Sequence, residues 1–164
     1  MSYLRDIFRS CTAQLGRLHP AAFVYVVWIL TYGVLMPLIW LDSLQPHDAL
    51  HIEGGPKNLP AFALPARLLL GSFVVPVFET TVFQWLPLRL LHNGLKLPAW
   101  AAVMVSAALF GAGHGYSSGY VLFTFLIGLV LAWAFVARDH DGGRAYLWVC
   151  VVHALRNAVS ALLM

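Results

Sequence analysis

Long apolar runs separated by short polar segments dominate the chain from residue 21 onward. The first run, 21–40, has no charged residue, and as a helix it would rise ~30 Å, enough to cross a bilayer core. Four more runs follow at 67–91, 97–113, 120–137 and 145–164. Because these runs are continuous and do not alternate in polarity, they predict helices, not barrel strands. The pattern predicts an all-α, polytopic transmembrane helix bundle of about five spans.

Composition supports a membrane protein. The 164 residues are 60% hydrophobic and 10% charged, with a mean hydropathy of +0.77, and a soluble domain of this size needs more polar surface. The net charge of +3 comes from scattered cations, whereas a nucleic-acid surface clusters them, so the expected partner is the lipid bilayer and not nucleic acid. The first run is too long for a signal peptide and no small-residue cleavage site follows it, which favours an uncleaved span.

The polar segments divide the chain and orient it. We predict a basic N-terminal segment at 1–20, a first transmembrane span with its polar loop (42–60) at 21–65, and a core at 66–164. Short-loop cations favour the cytoplasm. One side receives Arg5, Arg9, Arg17, Arg89, Lys96, Arg138 and Arg144, and the other receives Lys57 and Arg67. The N-terminus is therefore expected in the cytoplasm of a multi-pass membrane protein, in the inner membrane if the cell is bacterial.

A few polar side chains interrupt the apolar runs. An ionisable group at the centre of a membrane helix costs at least ~2.5–3.5 kcal/mol, so each one needs a partner or a function. The second run contains Glu79, the third ends at His114, and the last contains His153 and Asn157, which share a helix face at a spacing of four. A carboxylate and imidazoles can take a proton from water, while neutral donors can stabilise an oxyanion. These side chains are candidates for a hydrolytic site.

The order of these groups resembles a known family. Glu79, then F-x-x-x-H from Phe110 to His114, then H-x-x-x-N from His153 to Asn157, is similar to the motifs of the CPBP family. These CAAX-protease and bacteriocin-processing (Abi) intramembrane endopeptidases include the eukaryotic Ras-converting enzyme. The resemblance covers about residues 66–161. It implies a glutamate-type intramembrane protease with no cofactor. In that reading Glu79 and His114 activate water, and His153 and Asn157 hold the oxyanion.

The first motif departs from the family pattern. The family usually has E-E-x-x-x-R, whereas this chain has Thr80 and Gln84 at the positions of the second acid and the arginine. Loss of both charges together leaves neither unpaired. Arg156, next to Asn157, is a candidate for a replacement cation. The departure bears on ordinary CAAX specificity more than on hydrolysis.

The depths of the polar groups do not match when they are counted from the expected cytoplasmic ends. Glu79 lies ~15 Å from Arg89 and His153 ~14 Å from Arg144, but His114 lies ~27 Å from Lys96. A tilt, a kink, or residues 97–101 outside the membrane would close this gap.

Three alternatives stay open. Two histidines and a carboxylate can form a zinc site, although no H-E-x-x-H is present; chelator inhibition reversed by zinc would favour it. A non-enzymatic immunity or scaffold protein would make Glu79 a structural carboxyl, His114 a helix cap, and His153 and Asn157 interhelical hydrogen-bonding groups. A transporter subunit is disfavoured because no inverted repeat is evident. For a protease, the substrate is a membrane-anchored protein or peptide, with a CAAX-type or a C-terminal sorting signal; the oligomeric state is left open.

Overall fold

The computed structural model describes residues 2–44 and 61–163, and this part of the chain is helical, without strands. We number six helices in chain order. They are α1 (Ser2–Arg17), α2 (Pro20–Ser43), α3 (Leu64–Gly94), α4 (Ala99–Ala112), α5 (Ser118–Arg138) and α6 (Ala145–Leu163). The all-α prediction is confirmed.

Four of these helices, α2, α3, α5 and α6, are long and apolar enough to cross a membrane. The third predicted span corresponds to α4, which has only 14 residues and as a helix rises ~21 Å. It packs along α5 through one face, where Ala102, Ala107 and Phe110 are buried, and its other side is exposed. The polytopic bundle therefore consists of four long helices and one short apolar helix.

The N-terminal basic segment folds as a helix that the apolar pattern did not predict. α1 is amphipathic and lies along α5, where Trp133 donates a hydrogen bond to the Thr12 hydroxyl at 2.9 Å. A Cβ on Gly16 would overlap the Ala137 carbonyl oxygen, so glycine permits this contact. In an amphipathic helix the charged residues of one face interrupt the apolar residues of the other along the sequence, so no continuous apolar run is seen.

α2 extends beyond its predicted end. Its two parts, Pro20–Gly33 and Met36–Ser43, follow each other across residues 34–35. Asp42, expected to mark the exit into the loop, lies in the last turn of the helix. Residues 45–60 of that predicted loop, including Lys57, lie outside the described residues.

Prolines shape α3. Wide π-type turns at Leu70–Val74 and Thr80–Trp85 come just before the segments that contain Pro76 and Pro87. Proline has no N–H, so it leaves a carbonyl in the preceding turn without a donor. In the first wide turn the Val75 N–H bonds to Leu70, and the next carbonyl, Gly71, would need an N–H from Pro76. α3 therefore offers free carbonyls to neighbouring helices.

The turn between α3 and α4 lies later than predicted, and this correction removes the depth mismatch. α3 runs on to Gly94 and α4 begins at Ala99, so His92 is in the helix and not in a turn. Counted from these two helix ends, Glu79 and His114 are each fifteen residues away, ~22 Å along a helix. The two side chains are thus at the same depth.

An ion pair indicates the depth of the connection that leads into α6. Arg89, near the end of the predicted 67–91 run, lies within α3 and contacts Asp139, directly after α5, at 2.6 Å. Since Arg89 precedes the end of α3 by five residues, the α5–α6 connection lies ~8 Å nearer the middle of the bundle than the α3–α4 turn. His153, ~12 Å along α6, therefore reaches the level of Glu79.

Two glycines let α4 and α5 approach closely. A Cβ on Gly111 would lie 2.9 Å from the Val121 carbonyl oxygen, and a Cβ on Gly128 would lie 3.1 Å from both the Ala107 Cα and the Phe110 Cβ. Small residues at helix crossings are a usual device of membrane bundles. The pair α4–α5 thus depends on side-chain volume at these positions.

We expect Gly128→Val to lower the free energy of unfolding by about 1–3 kcal/mol, because its side chain would overpack the α4–α5 crossing. The measurement is SDS-induced unfolding of the purified protein in detergent, followed by tryptophan fluorescence. Gly33→Val is the matched control, since a Cβ at Gly33 meets no atom within 4 Å. Equal losses of stability in the two variants would contradict the close packing.

Candidate active site

The carboxylate of Glu79 lies between two imidazoles from other parts of the bundle. Its Oε1 is 3.2 Å from His114 Nε2, and its Oε2 is 3.2 Å from His153 Nε2. Glu79 comes from the middle of α3, His114 follows the end of α4, and His153 lies in α6. The carboxylate and His114 side chains are each 15% exposed and His153 is 3% exposed. Three of the four predicted site residues are therefore in direct contact.

The orientation of the His114 ring is fixed by a hydrogen bond to the backbone four residues earlier. Its Nδ1 is 2.7 Å from the Phe110 carbonyl oxygen, which can only accept, so Nδ1 donates. In the neutral ring Nε2 is then unprotonated, and its contact with Glu79 requires one proton on either group. Glycine at position 113 lets the backbone before His114 pass close to Phe83, because a Cβ there would lie 2.6 Å from the Phe83 ring. The geometry presents a carboxylate and an imidazole that share a proton.

His153 has a different second partner. Its Nδ1 lies 3.5 Å from the Thr80 hydroxyl, at the outer limit of hydrogen bonding. A hydroxyl can donate as well as accept, so Nδ1 can be the acceptor while Nε2 donates to Glu79. The ring also contacts Phe110 edge-on, with centroids 5.7 Å apart. His153 is thus arranged as a donor to the carboxylate.

Asn157 does not touch the carboxylate cluster. Its Nδ2 donates a hydrogen bond at 3.0 Å to the Gly71 carbonyl, the carbonyl that Pro76 leaves without a helical donor. Asn157 therefore closes the gap in α3 and joins α6 to it. One amide N–H is used in this bond, and the second has no hydrogen-bond partner among residues 2–44 and 61–163.

These four side chains line one cavity of about 450 Å³. The lining is aromatic on the side of α5, with Tyr120 and Phe123, and Arg156 adds a cation from α6. A cavity of this volume holds several residues of an extended peptide together with water. Glu79 thus faces a space where a substrate can bind.

Both altered positions of the first motif are buried. Thr80 and Gln84, at the positions of the missing acid and arginine, are both fully buried. Neutral side chains at two buried positions avoid the desolvation that an ion pair would require. Thr80 contacts His153, whereas neither polar atom of Gln84 has a hydrogen-bond partner within the described residues.

Sequence reasoning missed several neighbours of the site. The contact of Thr80 with His153 and the bond from Asn157 to Gly71 depend on how α3 and α6 meet, although Pro76 was a signal for a free carbonyl nearby. The Thr81 hydroxyl contacts Tyr146 at 2.8 Å and so fastens α6 to α3 near the site. Across residues 2–44 and 61–163, no group of three His, Cys, Asp or Glu side chains has the arrangement of a metal site.

The chain is thus a helical membrane bundle in which one partly buried carboxylate and two imidazoles face a cavity. A family model described as Type II CAAX prenyl endopeptidase Rce1-like matches residues 61–159. The chain belongs to this family, which confirms the resemblance to CPBP proteases, and it is an integral membrane protease. No curated protein and no solved structure gives a significant match.

Proposed function

We propose that the chain is a glutamate-type intramembrane protease in which Glu79 and His114 activate the attacking water. The observation that carries this proposal is the pair of 3.2 Å contacts from the two Glu79 oxygens to His114 and His153, at the edge of a cavity. A carboxylate and an imidazole at hydrogen-bond distance can take a proton from a water molecule that lies between them and a bound substrate.

In the proposed reaction, water attacks the carbonyl carbon of the scissile peptide bond and gives its proton to the Glu79–His114 pair. The carbonyl oxygen becomes an oxyanion. Once the Glu79–His114 pair has taken the proton from water, the His153 Nε2–H can leave the carboxylate and stabilise the oxyanion together with the second N–H of Asn157. When the C–N bond breaks, the same proton passes to the leaving nitrogen. The products are a carboxylic acid and an amine, and the Glu79–His114 pair returns to its starting protonation state.

The substrate we propose is a membrane-anchored protein or peptide that enters the cavity from the bilayer, with a CAAX-type or C-terminal sorting signal. The aromatic wall of Tyr120 and Phe123 supports an extended chain with apolar side chains, since such walls supply contact area without unpaired polar groups. We further propose a cytoplasmic N-terminus. Arg9 and Lys96 line one cavity at one end of the bundle, as the distribution of cations predicts.

The test is a comparison of protein N- and C-termini in membranes of cells that carry either the wild type or Glu79→Gln. We expect a small set of membrane proteins to lose their processed termini in the variant. Asp6→Asn is the matched control, because it makes the same carboxylate-to-carboxamide change on an exposed face of α1. Identical terminus profiles in wild type and Glu79→Gln, at equal protein levels, would refute the proposal.

A further inference from the structure

Arg156 places a cation in the wall of the active-site cavity. It lies three residues after His153 and one before Asn157, so it shares the cavity-lining side of α6. Its guanidinium carbon lies 5.6 Å from the centre of the Tyr32 ring and 5.4 Å from that of Phe123. Two aromatic rings from α2 and α5 therefore hold the guanidinium by cation–π contacts.

This cation has no anionic partner in the described part of the chain. The ion pairs there join Arg89 to Asp139, and Glu79 to the two histidines. The Nε of Arg156 is buried and has no hydrogen-bond partner among those residues. A guanidinium has five N–H donors, and cation–π contacts leave its in-plane donors free.

A charge at this position costs free energy unless a partner compensates it. Within membrane helices, arginines face the bundle interior or a cavity, pair with anions and mark substrate pathways. If this side chain only packed between helices, a long uncharged side chain would do the same without the free-energy cost of a charge. The charge of Arg156 is therefore better explained by an anion that is absent until substrate binds.

We propose that Arg156 binds a carboxylate of the substrate and so positions the peptide for cleavage, an inference that rests on the proposed protease function. A guanidinium fork matches a carboxylate with two parallel hydrogen bonds. Arg156 follows His153 by three positions in α6, a rise of ~4.5 Å, and an extended peptide spans ~3.4 Å per residue. The carboxylate therefore lies within roughly three residues of the scissile bond.

Either the C-terminal carboxylate or an acidic side chain has the required chemistry. Arg156 takes both in the same way, but the two sources make different demands on the substrate. A C-terminal carboxylate restricts cleavage to the end of a protein. An acidic side chain selects an internal sequence.

The experiment measures binding of three fluorescent farnesylated heptapeptides to the full-length protein in nanodiscs, in the Glu79→Gln background. One ends in a free carboxylate, one in a carboxamide, and one in a carboxamide after a terminal glutamate. We expect Glu79→Gln to bind at least one carboxylate peptide, and addition of Arg156→Gln to weaken that binding roughly ten- to hundredfold, the range of a charge-assisted bond. Binding of the plain carboxamide is expected to be unchanged, and Arg156→Lys to restore part of the affinity.

Which peptide responds identifies the source of the carboxylate. Arg144→Gln is the matched control, because Arg144 is an exposed arginine at the beginning of α6. Equal loss of affinity for carboxylate and carboxamide peptides, or no preference for a carboxylate in the presence of Arg156, would overturn the inference. Binding does not need turnover, so an inactive protein that retains the Arg156-dependent preference would count against the protease function and not against this subsite.

Discussion

Replacing Glu79 by glutamine is expected to lower kcat/KM for a membrane-anchored peptide substrate by at least about a thousandfold, because the carboxamide cannot take a proton from water. The change keeps the size and shape of the side chain. A carboxamide can still accept a hydrogen bond from one imidazole and donate one to the other. The contacts with His114 and His153 are therefore retained while the base is lost.

The measurement is the initial rate of cleavage by purified protein in nanodiscs, together with its melting temperature. Asp6→Asn, on α1, should keep the wild-type rate. A melting temperature close to that of the wild type assigns the loss to chemistry and not to unfolding. Retention of more than a tenth of the wild-type rate in Glu79→Gln would exclude Glu79 as the proton acceptor.

Removing the imidazole of His114 is expected to have the second largest effect. His114→Ala should lower kcat about a hundredfold to ten-thousandfold, because Glu79 Oε1 loses the partner with which it shares a proton. The Glu79→Gln/His114→Ala double variant should be scarcely slower than the slower single variant, since groups that act as one unit are not additive. The measurement is single-turnover cleavage, which separates the chemical step from product release.

His140→Ala is the control for this change. His140 is an exposed histidine in the α5–α6 connection, and its loss should leave the rate unaltered. If the losses from Glu79→Gln and His114→Ala multiply in the double variant, the two side chains do not act on the same proton. That result would support separate roles for the carboxylate and the imidazole.

The helices could be predicted from the sequence because the signal is local. Uninterrupted apolar runs near 21–40, 120–137 and 145–164 became α2, α5 and α6 with small shifts at their ends. In lipid every backbone group must be satisfied within its own segment, so an apolar run of this length has no other stable form. The main error was at residues 92–94, which were predicted to form a turn after the 67–91 run and lie in the last turn of α3.

The candidate site was only partly accessible to sequence reasoning. The family motifs identified Glu79, His114, His153 and Asn157 as a set, since each polar side chain is conspicuous in an apolar run. Their catalytic roles stay a prediction. Sequence spacing did not show that His153 meets Thr80 or that Asn157 bonds to Gly71, because both contacts join residues far apart in the chain.

The sequence alone determined that this protein is a helical membrane bundle with its few polar groups held inside. So apolar a chain is stable only in lipid, and there the backbone hydrogen bonds have to be made within helices. Tertiary structure decided the rest. The Arg89–Asp139 pair lies at the connection that leads into α6, and glycines allow α4 and α5 to approach closely. Only this packing brings one carboxylate to 3.2 Å from two imidazoles and leaves Arg156 facing the same cavity.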